Sequence, residues 1–174
     1  MQNEGLLSLY LYNFLLFVDW PCGTSAPAEN ITIGVLEGLD APPLFKHLHG
    51  KQIKGKTLIV QNVTRVSEID RDWNVLFIRR SNRSLTPDAV CRLKSSHCLT
   101  ISNMAGFTEL GGMVEFVCPH RDGSSQAALE EGRSPKRFRI HLDAVLEAGL
   151  RIRSRLLRLS DVLGNVPDGK APQP

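Results

Sequence analysis

Between Asn74 and Ile78 the chain places four apolar side chains in a row, Val75-Leu76-Phe77-Ile78. A strand with one wet face alternates apolar and polar residues, so an unbroken run belongs to a strand covered on both sides. Ile31 to Leu36, Thr57 to Val63 and Cys98 to Ser102 are further short runs rich in β-branched and apolar residues, and each reads as a strand. Helix signals fall between them. Pro42 to Leu48 predicts a short helix, and Thr86 as cap with Pro87 in the first turn predicts another to about Lys94. Met113 to Cys118 and Arg137 to Leu142 alternate, which predicts antiparallel partners across a long hairpin whose tip, residues 119–135, is rich in Gly, Ser and charge. Asp143 is expected to cap a helix through Ala148, and a last helix to cover Ser154 to Leu163. Together these elements predict an α/β layered sandwich with a mixed, partly parallel sheet. At 174 residues and 42% apolar content the chain can bury the core of one domain. We place that domain at residues 1–165, with a polar tail at 166–174.

The stretch Leu6 to Val18 has only Ser8 and Asn13 as polar members. Thirteen residues fall short of the roughly 20 that a spanning helix needs, which predicts no direct membrane insertion. A signal-peptide core is the competing reading. Against it, no basic residue precedes the stretch and Asp19-Trp20 close it, so we read a buried helix stopped by Pro21 and Gly23.

The net charge of +3 is too small to announce a nucleic-acid binder. The positive charge is local, with eight basic residues against two acidic ones from Arg133 to Ser160. In an extended segment Arg151, Arg153 and Arg155 would share one side and could fork onto a carboxylate or phosphate. Competing with this is a solvated rim around Leu150, Ile152, Leu156, Leu157 and Leu159.

Gly50 to Thr57 fits the phosphate-loop pattern G-x-x-x-x-G-K-[ST] letter for letter. The mechanism of that loop requires a strand before it and a helix after it, and here the predicted order is reversed. We therefore read a turn with Lys51, Lys54 and Lys56 in solvent. His97, Cys98, Cys118 and His120 sit at the ends of two strands, but strand alternation lets at most three converge, so no metal site is expected. Cys98 and Cys118 are the candidate disulfide, against a reading as two buried thiols. No nucleophile elbow accompanies the histidines, and Glu109, Glu115, Asp143 and Glu147 show no acid/base pattern. Neither an enzyme nor a cofactor is expected.

The ordered series LYNFLLFVDWP (Leu11 to Pro21), ITIGVLEG (Ile31 to Gly38), GKTLIVQNV (Gly55 to Val63), NVLFIRRS (Asn74 to Ser81), LTIS with AGF (Leu99 to Phe107), GGMVEFV (Gly111 to Val117) and RFRIHLDAVLEAGLRIRSRLLRLS (Arg137 to Ser160) resembles the YfiR-like family of bacterial periplasmic proteins. The resemblance implies a Rossmann-like appearance without a nucleotide site. It implies a periplasmic location, with a signal peptide upstream of this chain, and a homodimer. It further implies a regulatory partner, the periplasmic sensor domain of a membrane diguanylate cyclase, held inactive so that cyclic di-GMP and biofilm formation fall. A sensor histidine kinase with a similar periplasmic domain fits the same residues, as does a small-molecule sensor using Arg151 and Arg153. Some family members carry one cysteine in the strand that holds Gly34 here and another at Trp73, just before the next strand, and others carry a pair near the loop of Thr108 and Glu115; none of these positions is Cys here, so the family's redox control is not implied. Arg139 and His141 make the closing strand more basic than the family pattern. With Arg151, Arg153 and Arg155 they are the candidate contact residues.

Overall fold

The computed structural model describes residues 4–21, 29–117, 138–158 and 160–164. Helix α1 (Glu4–Phe17) leads into β1 (Val18–Asp19). The remaining strands are β2 (Asn30–Leu36), β3 (Gln52–Ile53), β4 (Lys56–Val63), β5 (Val75–Ile78), β6 (Leu99–Ser102), β7 (Val114–Phe116), β8 (Phe138–His141), β9 (Arg151–Ile152) and β10 (Ser160–Leu163). Three short helices complete the set: α2 (Thr86–Arg92), α3 (Leu142–Glu147) and α4 (Ser154–Arg158).

Eight strands form one sheet in the order β10-β8-β7-β6-β5-β2-β4-β3. The central β4-β2-β5-β6-β7 block is parallel, while β8 and β3 join antiparallel on either side of it. The fold is thus the mixed α/β sandwich that the strand and helix signals imply. All four residues of β5 are buried, as their unbroken apolar run requires.

The two faces of the sheet carry separate cores. Ile33, Val35, Phe77, Ile101, Phe116 and Ile140 face α1 and pack with its Leu7, Leu11, Phe14 and Leu15. Aromatic rings cross this face edge-on: Phe14 and Tyr10 lie 5.6 and 5.4 Å from Phe138, and Phe45 lies 4.9 Å from Phe77. The opposite face joins Leu36, Leu76 and Ile78 to Ala89 of α2, to Leu93 just after it and to Trp73.

Several elements differ from expectation. Only Lys46–Leu48 of the helix expected at 42–48 forms, as a 3-10 turn, because Phe45 takes a left-handed backbone (φ 64°) that seats its ring in the core. Thr86 lies inside α2 and its hydroxyl donates to Asn82 O at 3.1 Å, so it is not the cap. The cap of α3 is His141, whose Nδ1 accepts from Ala144 N–H at 3.2 Å, rather than Asp143. The last helix stops at Arg158, and residues 160–163 turn into β10 beside β8. Helical spacing of the leucines could not reveal this, since the open edge of β8 supplies the pairing. The expected polar tail, 166–174, and hairpin tip, 119–135, lie outside the described residues.

Gly50 to Thr57 makes a hairpin. β3 and β4 are joined by Lys54 and Gly55, both at positive φ (51° and 74°), as a tight two-residue turn demands. The strand that follows is β4 itself, so the phosphate-loop letters sit in the wrong architecture for that chemistry.

Candidate functional site

Parallel strands give the sheet an amino edge and a carboxyl edge, and arginines gather at both. At the amino edge α1 ends and the chain extends, so that Val18 and Asp19 pair antiparallel with Ile152 and Arg151. Arg153 N–H donates to Phe17 O at 2.9 Å. The Arg153 guanidinium then forks onto the Asp19 carboxylate, Nε at 3.1 Å and Nη2 at 3.2 Å. Lys54 Nζ donates to Val18 O at 2.9 Å and stands 3.5 Å from Asp19 Oδ1. The Arg153 hydrogen bond, with help from Lys54, holds the Asp19 carboxyl below its ordinary range. Trp20 Nε1–H donates to Asn74 O at 3.1 Å, just before β5. The Val-Asp-Trp segment is therefore a clamp. It joins the end of the first helix to the β3–β4 turn, the central sheet and the closing segment.

This arrangement corrects two expectations. Arg151, Arg153 and Arg155 do not form one set: Arg151 is exposed on β9, Arg153 is engaged by Asp19, and Arg155 lies on α4 with its guanidinium 6.0 Å from the Phe17 ring centre. The carboxylate that an arginine fork calls for is the chain's own. Lys54 likewise is part of the clamp rather than a solvated loop charge.

At the carboxyl edge, β2 and β5 are neighbours whose following segments leave in different directions. Doubly wound sheets commonly bind ligands in the crevice at such a point. Here Glu37, which is buried, fills it with protein contacts. Asn62 Nδ2–H donates to Glu37 Oε1, and Arg79 Nη1 lies 3.3 Å from Glu37 Oε2 and 3.1 Å from Pro42 O.

Farther along the same edge the ends of β5, β6 and β7 leave a cleft of about 480 Å³ lined by Arg80, Arg83, Asn103, Glu115, Phe116 and Arg139 among others. Arg139 and Glu115 face each other across the β7–β8 register, with Nη1 3.8 Å from Oε1. Arg83 Nη1 donates to Ala105 O at 2.9 Å, and Asn103 Oδ1 accepts from Arg80 N–H at 3.0 Å. Sequence reading singled out Arg139 but neither Arg80 nor Arg83. A signal was present, since two basic residues directly follow β5 at Arg79-Arg80, where strand ends in parallel sheets meet ligands. Of the closing-strand pair, Arg139 lines this cleft, whereas His141 is committed to capping α3.

Cys98 is a fully buried free thiol whose pKa is pushed up by burial, while Cys91 is exposed. Cys118 and His120 lie outside the described residues, as therefore does the candidate Cys98–Cys118 pair. His97 Nδ1 is 2.7 Å from Ala148 O, an oxygen that can only accept, so that nitrogen carries the proton and is no ligand. Among the described residues no cluster of three or more His, Cys, Asp or Glu side chains could hold a metal.

The Trp73 ring occupies the space a Cβ on Gly34 would need, 2.0 Å from that point. Thr108 Oγ1–H donates to Glu115 Oε2 at 3.4 Å.

No helix of the described residues is long and apolar enough to cross a membrane. A comparison with curated proteins gives no match. The family model described as YfiR/HmsC-like matches residues 5–161, a span that runs from the first helix through the clamp and both sheet edges to the start of β10, and the chain belongs to that family.

Proposed function

We propose that the protein is a periplasmic regulator that binds the periplasmic sensor domain of an inner-membrane diguanylate cyclase and holds the enzyme inactive. The observation that carries this reading is the family match over residues 5–161. YfiR-like proteins are periplasmic and regulatory, and the family points to diguanylate cyclase signalling. A regulator of this kind needs only a higher affinity for one state of its receptor, which shifts that state's population. Exposed Leu9 on the outer face of α1 offers an apolar contact point for such a partner.

The test is cyclic di-GMP in the native bacterium with and without the gene. A clear rise on deletion is expected, and crosslinking in the periplasm should then capture the cyclase. An unchanged level across growth phases would overturn the cyclase reading and favour a sensor kinase as partner.

A further inference from the structure

A second cavity, of about 430 Å³, opens between α2, the 108–111 turn and α3. Its floor is Thr100 on β6. Leu99 and Ile101 belong to the core under α1, so strand alternation turns Thr100 to the α2 face of the sheet. Thr100 is 2% exposed, and its hydroxyl oxygen accepts from Met113 N–H at 3.0 Å. Its own O–H finds no acceptor among the described residues, and a buried donor left unspent is costly. Ser96, the other buried hydroxyl in the lining, already donates to Leu93 O at 2.6 Å. The apolar wall over Thr100 is Val90, Leu93 and Leu110, which all pack into the one core on the α2 face. Leu93 is buried, whereas Val90 and Leu110 are half-buried, so part of their apolar surface has no cover. Gly111, at φ 93°, brings the turn against α2, where a Cβ would stand 3.3 Å from Val90 Cγ1. On the far side Ala144 of α3 and Ala148 at its C-cap lie one turn apart, too short to fill the gap. Charge at the mouth balances, because exposed Lys94 and Glu147 are the only charged side chains of the lining.

We propose that this cavity binds a small uncharged molecule whose apolar body rests on Val90, Leu93 and Leu110 and whose carbonyl oxygen takes the Thr100 O–H. Apolar walls with a single well-placed polar group are the usual make-up of a small-molecule site, and the volume suits one. One lysine and one glutamate give an ion no net attraction, and carrying an ion down to a buried hydroxyl would strip its water. A bound molecule would bridge α2, the 108–111 turn and α3. The assignment is independent of which receptor the protein regulates.

Titration of the full nitrogen-15-labelled chain with acetophenone, followed by amide NMR shifts, tests it, with benzoate and benzylammonium as charged controls. Saturable shifts at residues 90–96, 110–111 and 144–148 are expected from acetophenone, with both ions weaker. Thr100→Val should weaken binding about fivefold, the loss of one neutral hydrogen bond, while Thr100→Ser keeps the O–H and should bind within about twofold of the parent. Thr100→Val also deprives Met113 N–H of its acceptor, so its amide spectrum must first show a folded chain. Ala144→Leu, a good helix former grown into the gap, should abolish binding whether or not Thr100→Val folds. No saturation by about 10 mM would overturn the assignment and leave a cavity that holds water only. Saturable shifts at other residues, binding by Ala144→Leu equal to the parent's, or a folded Thr100→Val that binds unchanged would each overturn it. An ion that binds as tightly as acetophenone would do the same.

Discussion

The two edges of the sheet use the same side chain in opposite ways. At the amino edge an arginine is consumed by the fold: Arg153 grips Asp19, and a lysine and a tryptophan complete the grip on neighbouring backbone. At the carboxyl edge arginines meet buried carboxylates, Arg79 at Glu37 and Arg139 at Glu115, and Arg80, Arg83 and Arg139 line a cleft instead of closing a seam. Arginine content in a sequence therefore does not locate a binding surface. What matters is whether a carboxylate of the same chain reaches the guanidinium first.

Both edges hang on the middle of the sheet, and the largest effect is expected there. Gly34→Ala would drive a methyl into the Trp73 ring, costing about 3 kcal/mol as overpacking at a site with no room to give. Denaturant unfolding measures it, and the paired variant Gly34→Ala with Trp73→Leu should recover much of the loss. If the single variant unfolds as the parent does, the close fit is not structural.

At the carboxyl edge, Arg139→Ala leaves Glu115 buried with a weaker set of partners. Removing one member of a buried pair is costly, but Arg139 is one-third exposed and the approach is long, so about 2 kcal/mol is expected by the same unfolding measurement. At the amino edge, Trp20→Phe keeps the packing and deletes the hydrogen bond to Asn74 O, a loss of about 1 kcal/mol.

The Asp19 carboxyl gives the smallest effect and the sharpest sign. Its pKa is lowered in the folded state, so its contribution to stability is present above the unfolded value of 3.8 and is lost as pH falls through the folded value. Arg153→Gln should return the Asp19 titration toward the ordinary range, read by carbon-detected NMR, with little change in stability at pH 7. A titration unmoved by that substitution would show that the fork does not set the carboxyl. Thiol labelling separates two other positions: at neutral pH Cys91 should react with iodoacetamide while folded and Cys98 should not.

Much of the architecture is legible in the amino-acid sequence because the strands of the parallel block are short, strongly apolar and bounded by turn residues. Asn74 to Ile78 needs no further context to be read as a central strand. The elements that escape are those whose state is decided by a distant neighbour. Residues 160–163 follow a leucine-rich helix and become a strand because β8 has an open edge. Gln52 and Ile53 are too short to register as a strand, and their pairing is imposed by the Lys54–Gly55 turn. The candidate site was legible only in part for the same reason. The repeat of Arg151, Arg153 and Arg155 was visible, but the carboxylate that answers it lies 134 residues away at Asp19. Arg83 and Arg139 come from separate strand ends, and no linear spacing brings them together.

The seat of α1 has a temporal consequence. The helix is made near the start of the chain, yet Phe14 and Tyr10 rest on Phe116 and Phe138, and the clamp at its end waits for Arg153. As the polypeptide emerges amino end first, its most apolar segment cannot complete its seat until more than a hundred further residues have followed, so the packing that fixes this helix is among the last to close.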